Sequence, residues 1–128
     1  MDPEQEEYLE NPKNRLEHVV SDIAAMTDPE DMMLAIMETL NDTIEVAPTI
    51  GRYYTFIYDP KTPRIRYDEF PLIACVNLFN WGFRGINYHW PGFRNYDWQQ
   101  TIGNLYLAYP LEIDDLRSIP YQNFKINN

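Results

Sequence analysis

Apolar residues recur at two different periods along this chain, and the change falls near residue 48. Between residues 12 and 42 they lie three or four positions apart, the spacing of a helix with one buried face. Thr27 or Asp28 can cap a helix there, and Pro29 suits its first position. We therefore predict a helical hairpin over 12–42, after an extended lead. Its two apolar stripes are Leu16, Val19, Val20, Ile23 and Met26, and then Met33, Ile36, Met37 and Leu40.

Beyond the hinge EVAPTIG at 45–51, alternation at period two predicts β-strands. In RYYTFIYD, Tyr54, Phe56 and Tyr58 fall on one face, and Tyr53, Thr55 and Ile57 on the other. Pro60 and Pro63 make DPKTP a structural turn. Further strands are predicted at 64–67, 70–79 and 83–90. In the last of these, Ile86, Tyr88 and Trp90 share a face opposite Phe83, Gly85, Asn87 and His89.

The C-terminal part returns to a helical pattern. Residues 97–109 carry a stripe of Trp98, Ile102, Leu105 and Tyr109, which predicts a helix capped by Asp97. A second short helix is expected over 111–119, and a last strand over 121–126. The predicted fold is α+β, with an acidic helical arm over 1–47. An aromatic-rich β module over 48–128 follows, built as a small antiparallel sheet or SH3-like barrel with one or two closing helices.

The two parts of the chain also differ in charge. Residues 1–47 hold 13 acidic and 2 basic side chains, whereas residues 48–128 hold 7 acidic and 8 basic ones, for a net charge of −10. The acidic N-terminus predicts no secretory signal, and no apolar run suggests a membrane span. A single cysteine, Cys75, excludes an internal disulfide and a thiolate metal cluster.

Signatures of catalysis are weak. Gly82 and Gly85 lack the third glycine of a dinucleotide fingerprint, and we interpret them as structural residues of a turn or bulge. Cys75, His89 and Asn87 are the residue types of a thiol enzyme, but Cys75 lies in an apolar run where a thiol keeps its proton. The adjacent carboxylates Asp68 and Glu69 should point to opposite faces. We expect no catalytic residue, no metal and no cofactor.

Arginines are interleaved with aromatic residues throughout the β module. Such mixtures are typical of protein–protein hot spots and of single-strand nucleic-acid sites. The β module carries a net charge near +1, and the arm would repel phosphate, so nucleic acid is the less favoured partner. We predict that a partner protein binds at Arg64, Arg66, Arg84, Asn87, His89, Trp90 and Arg94.

Residues 52–125 resemble small proteins of contractile-tailed bacteriophages, in particular those of cyanophages. The likeness lies in Tyr54 to Tyr58, Pro60-Lys61-Thr62, Tyr67-Asp68, Pro71-Leu72 and Gly82 through His89. It implies a phage setting, with the protein in the virion and in the host cytoplasm during assembly. We expect a structural or adaptor component of a tail, baseplate or neck, oligomeric or part of a larger assembly of virion proteins. The alternatives are an acidic regulator that binds a host protein or mimics DNA, and a small thiol-dependent enzyme.

Overall fold

The computed structural model describes residues 2–127. Residue 1 of the predicted acidic arm and residue 128 of the predicted β module lie outside the described residues. Helices are Pro3–Glu10 (α1), Val20–Ala24 (α2), Pro29–Thr39 (α3) and Ile113–Ser118 (α4), with 3₁₀ turns at Trp98–Gln100 and Pro110–Glu112. Strands are Ile44–Glu45 (β1), Tyr53–Tyr58 (β2), Ile65–Asp68 (β3), Leu72–Leu78 (β4), Gly82–Asn87 (β5), Phe93–Asp97 (β6), Thr101–Ala108 (β7) and Phe124–Asn127 (β8).

The strands form a six-stranded sheet in the order β1-β7-β2-β4-β5-β6 and a two-stranded sheet of β3 and β8. Every pairing in the two sheets is antiparallel. The predicted α+β class and antiparallel sheet are therefore confirmed. β1 and β6 are the edges of the larger sheet.

The six-stranded sheet is strongly curled. Three steps separate β2 from β6, which in a flat sheet would place them roughly 14 Å apart. Yet the ring of Tyr96 on β6 lies 5.0 Å from that of Tyr58 and 5.3 Å from that of Phe56, both on β2. The curl lets one face of the sheet bury its own aromatic core, with Tyr8 from α1 completing it. The predicted alternation in β2 is confirmed, since Tyr54, Phe56 and Tyr58 all belong to this core.

Helices cover the opposite face of the sheet. α2, α3 and α4 bury their apolar stripes with Leu72 and Tyr121 in a second core. The predicted stripe of α3 is confirmed, because Met33, Ile36 and Leu40 are buried there. Asp28 caps α3 by accepting a hydrogen bond from the backbone N–H of Glu30, as expected for an Asp-Pro-Glu start.

The N-terminal half joins the β module through a buried ion pair. The guanidinium of Arg15 donates two hydrogen bonds of 2.8 Å to the fully buried carboxylate of Glu112, which also accepts the backbone N–H groups of Arg15 and Tyr109. Asp42 lies 2.6 Å from the same guanidinium. Burial acts to lower the pKa of Arg15, but its hydrogen bonds to Glu112 and Asp42 outweigh burial and raise the pKa above its ordinary value.

The predicted N-terminal helical hairpin is not confirmed. Of the helix expected over 13–26, only Val20–Ala24 is α-helical, because the backbone N–H of Arg15 is engaged by Glu112 and that of Leu16 by the Asn14 side chain. The extended lead is also wrong. Residues 3–10 form α1, capped by Asp2, and bury Tyr8.

The predicted helix over 97–109 is wrong as well. Asp97 ends β6, a 3₁₀ turn follows, and Thr101–Ala108 form β7, which lies between β1 and β2 in the sheet. Both faces of its second half are covered, so Leu105, Leu107 and Ala108 are all buried and the alternation is hidden. Gly103, with φ at +72°, lies where the β2–β7 register shifts. The predicted strand at 83–90 is β5, but it ends at Asn87.

Candidate functional site

An open cleft of about 270 Å³ lies where the curled sheet brings β6 opposite β3. One wall is formed by residues 65–68 of β3 and the other by residues 94–97 of β6. The remaining lining residues come from the end of β2, the turns and β5: Tyr58, Pro60, Thr62, Trp81, Asn87, Trp90 and Gln100. Four of the seven predicted partner-binding residues thus meet here: Arg66, Asn87, Trp90 and Arg94.

One end of the cleft is an arginine–tryptophan cluster. The guanidinium carbons of Arg94 and Arg66 lie 4.2 and 5.2 Å from the ring centre of Trp90, within the range of cation–π attraction. Among residues 2–127, neither guanidinium has a carboxylate within ion-pair distance. Arg94 donates only to the carbonyl of Phe93, at 3.0 Å. The cluster therefore presents two positive charges held by an aromatic ring, with most of their hydrogen-bonding capacity free.

A buried polar network supports the floor of the cleft. The amide of Asn87 donates to the hydroxyl of Tyr96 at 3.1 Å, and its oxygen accepts the backbone N–H groups of His89 and Trp90 at 2.7 and 2.8 Å. These last two bonds fix the turn that carries Trp90. Burial raises the pKa of Tyr96 above its ordinary value, so its hydroxyl stays protonated across the physiological range.

His89 lies behind this floor and does not line the cleft. Its Nδ1 atom is 2.9 Å from Oδ2 of Asp68, and the two side chains are 4% and 2% exposed. Its ring packs edge-on against Tyr121, whose hydroxyl is 2.9 Å from that of Thr55. Nε2 of His89 is buried and has no hydrogen-bond partner among residues 2–127. This nitrogen does not reach the cleft surface, and the contact with Asp68 fixes the His89 ring beside the turn that carries Trp90.

The thiol lies elsewhere. Cys75, on β4, is 1% exposed within the aromatic core, and burial raises the pKa of its thiol to about 11. Its sulfur contacts the carbonyl of Asn77, while His89 is bonded to Asp68. The geometry therefore does not assemble the activated thiolate that a Cys–His pair requires.

The other predicted contact residues are dispersed. Arg84 lies on β5, where its side chain bonds to Asn95 and covers the ring of Phe79. Arg64 is exposed in the turn after β2, with φ at +60°. Pro60 and Pro63 lie in the same turn, and Pro60 is buried at the cleft.

The two strand glycines act through close packing and not through positive φ. A Cβ at Gly82 would lie 1.9 Å from the carbonyl oxygen of Tyr96, and one at Gly85 would lie 3.0 Å from Cβ of Ile73. Gly82 therefore needs a residue without a side chain so that β5 and β6 can approach, whereas at Gly85 a Cβ would be tightly packed against β4.

Several cleft residues were not singled out from the sequence as binding residues: Tyr58, Trp81, Asp68, Tyr96 and Asp97. From the sequence, Asp68 stands out only as half of a carboxylate pair with Glu69. Its divergence from Glu69 is borne out, since Glu69 bonds to Lys125 at 2.6 Å while Asp68 bonds to His89. The signal that sequence reasoning left unused is that β3 and β6 both carry an arginine beside tyrosine and aspartate.

Across residues 2–127, the structure brings no three metal-ligating side chains of the His, Cys, Asp and Glu types together. In that same part of the chain, no helix has both the length and the apolar character needed to cross a membrane. No protein-family model, curated protein or solved structure matches the chain.

Proposed function

We propose that this protein is a non-catalytic adaptor that acts through protein–protein contacts made at the cleft between β3 and β6. The observation that supports this most is the arginine–tryptophan cluster. Arg66 and Arg94 both pack on Trp90 and lack a carboxylate within the described chain. Arg and Trp are the residue types most enriched at the centres of protein interfaces.

The proposed setting is the particle of a tailed phage, in a tail, baseplate or neck, with other virion proteins as partners. The resemblance of residues 52–125 to small proteins of contractile-tailed phages supports this setting. An aromatic core closed by a curled sheet gives the rigid support that such a contact surface needs. The finer description of the β module as SH3-like, and an oligomeric or assembled state, belong to the same proposal.

Mass spectrometry of purified particles of the encoding phage tests the setting. We expect the protein to be retained through density-gradient purification, and its absence from particles would refute the virion role. The contact surface is tested by supplying tagged protein during infection. The double variant Arg66→Glu/Arg94→Glu should be depleted from particles about ten-fold or more, because reversing two charges removes their attraction and adds repulsion. Arg117→Glu reverses the charge of an exposed arginine on α4, which lies over the ring of Tyr88 outside the cleft, and this variant should be retained.

A second candidate is an acidic regulator that binds a host protein or mimics DNA. It is favoured by the surface of residues 2–45, where twelve of the thirteen acidic side chains are exposed and only Glu45 is partly covered. Under this alternative, binding to a host protein would persist in the cleft double variant and fall when Glu4, Glu6 and Glu7 of α1 are changed to Gln. The thiol-enzyme alternative is disfavoured by the burial of Cys75.

A further inference from the structure

We propose that the cleft takes an extended segment of the partner as an added β-strand, with an acidic side chain of that segment placed against Arg66 and Arg94. This inference rests on the proposed function and names the mode of binding and the chemistry of the ligand. It is carried by two strands that line the cleft and each have an edge without a partner strand, together with the uncompensated charge at one end of the cleft.

The first edge is that of β6. Asn87 N donates to Gly92 O, and Trp98 N donates to Trp81 O, each at 3.1 Å, at the two ends of the β5–β6 ladder. Bonded pairs alternate in an antiparallel ladder, so Arg94 and Tyr96 bond to β5. The backbone groups of Phe93, Asn95 and Asp97 then point away from β5. The N–H of Asp97 shows this direction, because it donates to the hydroxyl of Tyr58 at 3.4 Å.

The second edge is that of β3. Glu69 N donates to Asn123 O at 2.9 Å, which sets the alternation in the β3–β8 ladder. Tyr67 and Ile65 are then the positions bonded to β8, and the backbone groups of Arg66 and Asp68 point to the other side. Arg66 and Asp68 both line the cleft. No strand within residues 2–127 pairs with this edge of β3.

Unpaired edges of this kind are a template for strand addition, and proteins usually blunt them with charge, proline or a covering segment. β6 carries the charged residues Arg94 and Asp97, but it has no proline, and Phe93 is 62% exposed. On this edge Arg94 engages the carbonyl of Phe93, and both backbone groups of Asp97 are bonded to side chains, so an added strand would pair with the N–H of Phe93 and with both backbone groups of Asn95. Side chains of the added strand that point inwards would meet Tyr58 and Tyr96.

Charge selects the sequence of the occupant. A carboxylate between Arg66 and Arg94 would receive charge-assisted hydrogen bonds from guanidinium groups that have no carboxylate partner in the described chain. Asp97 lies on the wall at the other end of β6 and disfavours a second acid there. The expected ligand is therefore an extended segment with β-branched residues and one acidic residue near one end.

A displayed library of random linear peptides, panned on the full-length protein, provides the probe. We expect enrichment of sequences with an Asp or Glu beside β-branched residues. Affinity of the strongest peptide, measured by fluorescence anisotropy, should fall about ten-fold or more with Arg66→Glu/Arg94→Glu, since both cations lose their carboxylate contact. It should stay unchanged with Arg117→Glu, which changes an exposed arginine on α4 outside the cleft. Circular dichroism of each variant establishes that it is folded.

N-methylation of the peptide backbone tests the strand mode. Each methyl group removes one N–H donor, so methylation at alternate residues should cost about ten-fold in affinity, while methylation at the intervening residues is tolerated. Bound peptide should also slow hydrogen exchange at the amides of Phe93 and Asn95.

The outcomes separate this inference from the proposed function. No enrichment, or enriched peptides that are insensitive to the double variant, would overturn the acidic-segment proposal without bearing on retention in particles. Binding that needs the arginines but is indifferent to N-methylation at every position would overturn strand addition and leave the cleft as a contact surface. If the unchanged protein is absent from purified particles but still binds the acidic peptides, the virion role alone is refuted.

Discussion

Replacing Glu112, even by an amide of the same shape, should strongly lower the free energy of unfolding. Glu112 has no exposed surface, and its two oxygens accept four hydrogen bonds, three from Arg15 and one from the backbone N–H of Tyr109. Glu112→Gln keeps the shape but turns an N–H₂ group towards N–H donors and removes the negative charge. Breaking one partner out of a buried ion pair costs about 3–5 kcal/mol.

Asp42 remains beside Arg15 in this variant, at 2.6 Å, so we place the cost at the lower end, about 3 kcal/mol. For a domain of this size each kcal/mol lowers the melting temperature by roughly 3–5 °C, which gives a drop of roughly 9–15 °C. Urea unfolding followed by tryptophan fluorescence and by far-UV circular dichroism measures the free energy. The matched control is Glu38→Gln, an exposed acid on α3, which should change stability by less than about 0.5 kcal/mol.

A double-mutant cycle tests the mechanism. Arg15→Met alone leaves Glu112 buried without its cation, whereas Arg15→Met with Glu112→Leu leaves neither charge buried. The double variant should therefore be more stable than the sum of the single effects predicts, by about 2 kcal/mol or more. Additive effects, or a cost of Glu112→Gln no larger than that of Glu38→Gln, would refute the view that this pair fixes the N-terminal half to the sheet.

Four further predictions follow from burial and close packing. At pH 7.5 the raised pKa of Cys75 should leave it unmodified by iodoacetamide in the native protein but modified in urea, and rapid native alkylation would contradict this. Folding raises the pKa of the Cys75 thiol, so the unfolded chain loses this proton at a lower pH than the folded protein does. The contribution of Cys75 to the free energy of unfolding is therefore complete below the unfolded pKa and should be lost as pH rises from about 8.5 to about 11. Urea unfolding at several alkaline pH values measures this loss. Gly82→Ala should lower the free energy of unfolding by about 3 kcal/mol, because the added Cβ would strike the β6 backbone. Gly103→Ala should lower it by only about 1 kcal/mol, through backbone strain. Equal costs of the two substitutions in urea unfolding would disprove the close approach of Gly82 to β6. The hydroxyls of Tyr96 and Tyr121, whose pKa values are raised by burial, should ionise only as the chain unfolds, so their absorbance at alkaline pH should change together with circular dichroism.

Local patterns predict the elements of this fold wherever one face is buried and the other is not. α3 follows this rule, and its buried face was predicted correctly. Both faces of β2 are covered, and its run of aromatic and β-branched residues is what predicted it as a strand. β7 breaks it, because its neighbours cover both faces of its second half. The β-branched pair Thr101 and Ile102, followed by Gly103, was the available signal against a helix.

The segment before residue 12, predicted to be extended, is a helix whose start was visible in the local sequence. Asp2-Pro3-Glu4 repeats the Asp-Pro-Glu start of α3, and Asp2 does cap α1 by accepting from Gln5. What local composition does not contain is the anchor of α1, since Tyr8 inserts its ring into the sheet core and bonds to the backbone of Tyr53 and Ala108.

The cleft was predictable in its residue types but not in its geometry. Arg66 and Arg94 are far apart in sequence, and they meet only because the sheet curls. The curl depends on features that span strands, such as the register shift between Cys75 and Asn77 opposite Gly85, and the contact of Gly82 with the β6 backbone. In a single sequence these features are visible only as separate glycines, and the strands that they bring together cannot be predicted from them.

Electrostatics bears on whether an acidic ligand can approach a protein with a net charge of −10. The acids of α2 and α3 lie on the helices that pack against one face of the sheet, whereas Tyr58 and Tyr96 of the cleft belong to the core on the other face. Packed layers stand about 10 Å apart, and the Debye length at physiological ionic strength is about 8 Å, so those acids are largely screened at the cleft. α1 does not share this separation, because its Tyr8 packs in the same core as Tyr58 and Tyr96, and Asp68 and Asp97 line the cleft itself. Arg66 and Arg94 therefore dominate the field only at the end of the cleft where they would contact the ligand. Lowering the salt should strengthen the distant repulsion together with the local attraction, so the affinity of an acidic segment should depend on ionic strength less steeply than two guanidinium contacts alone would imply.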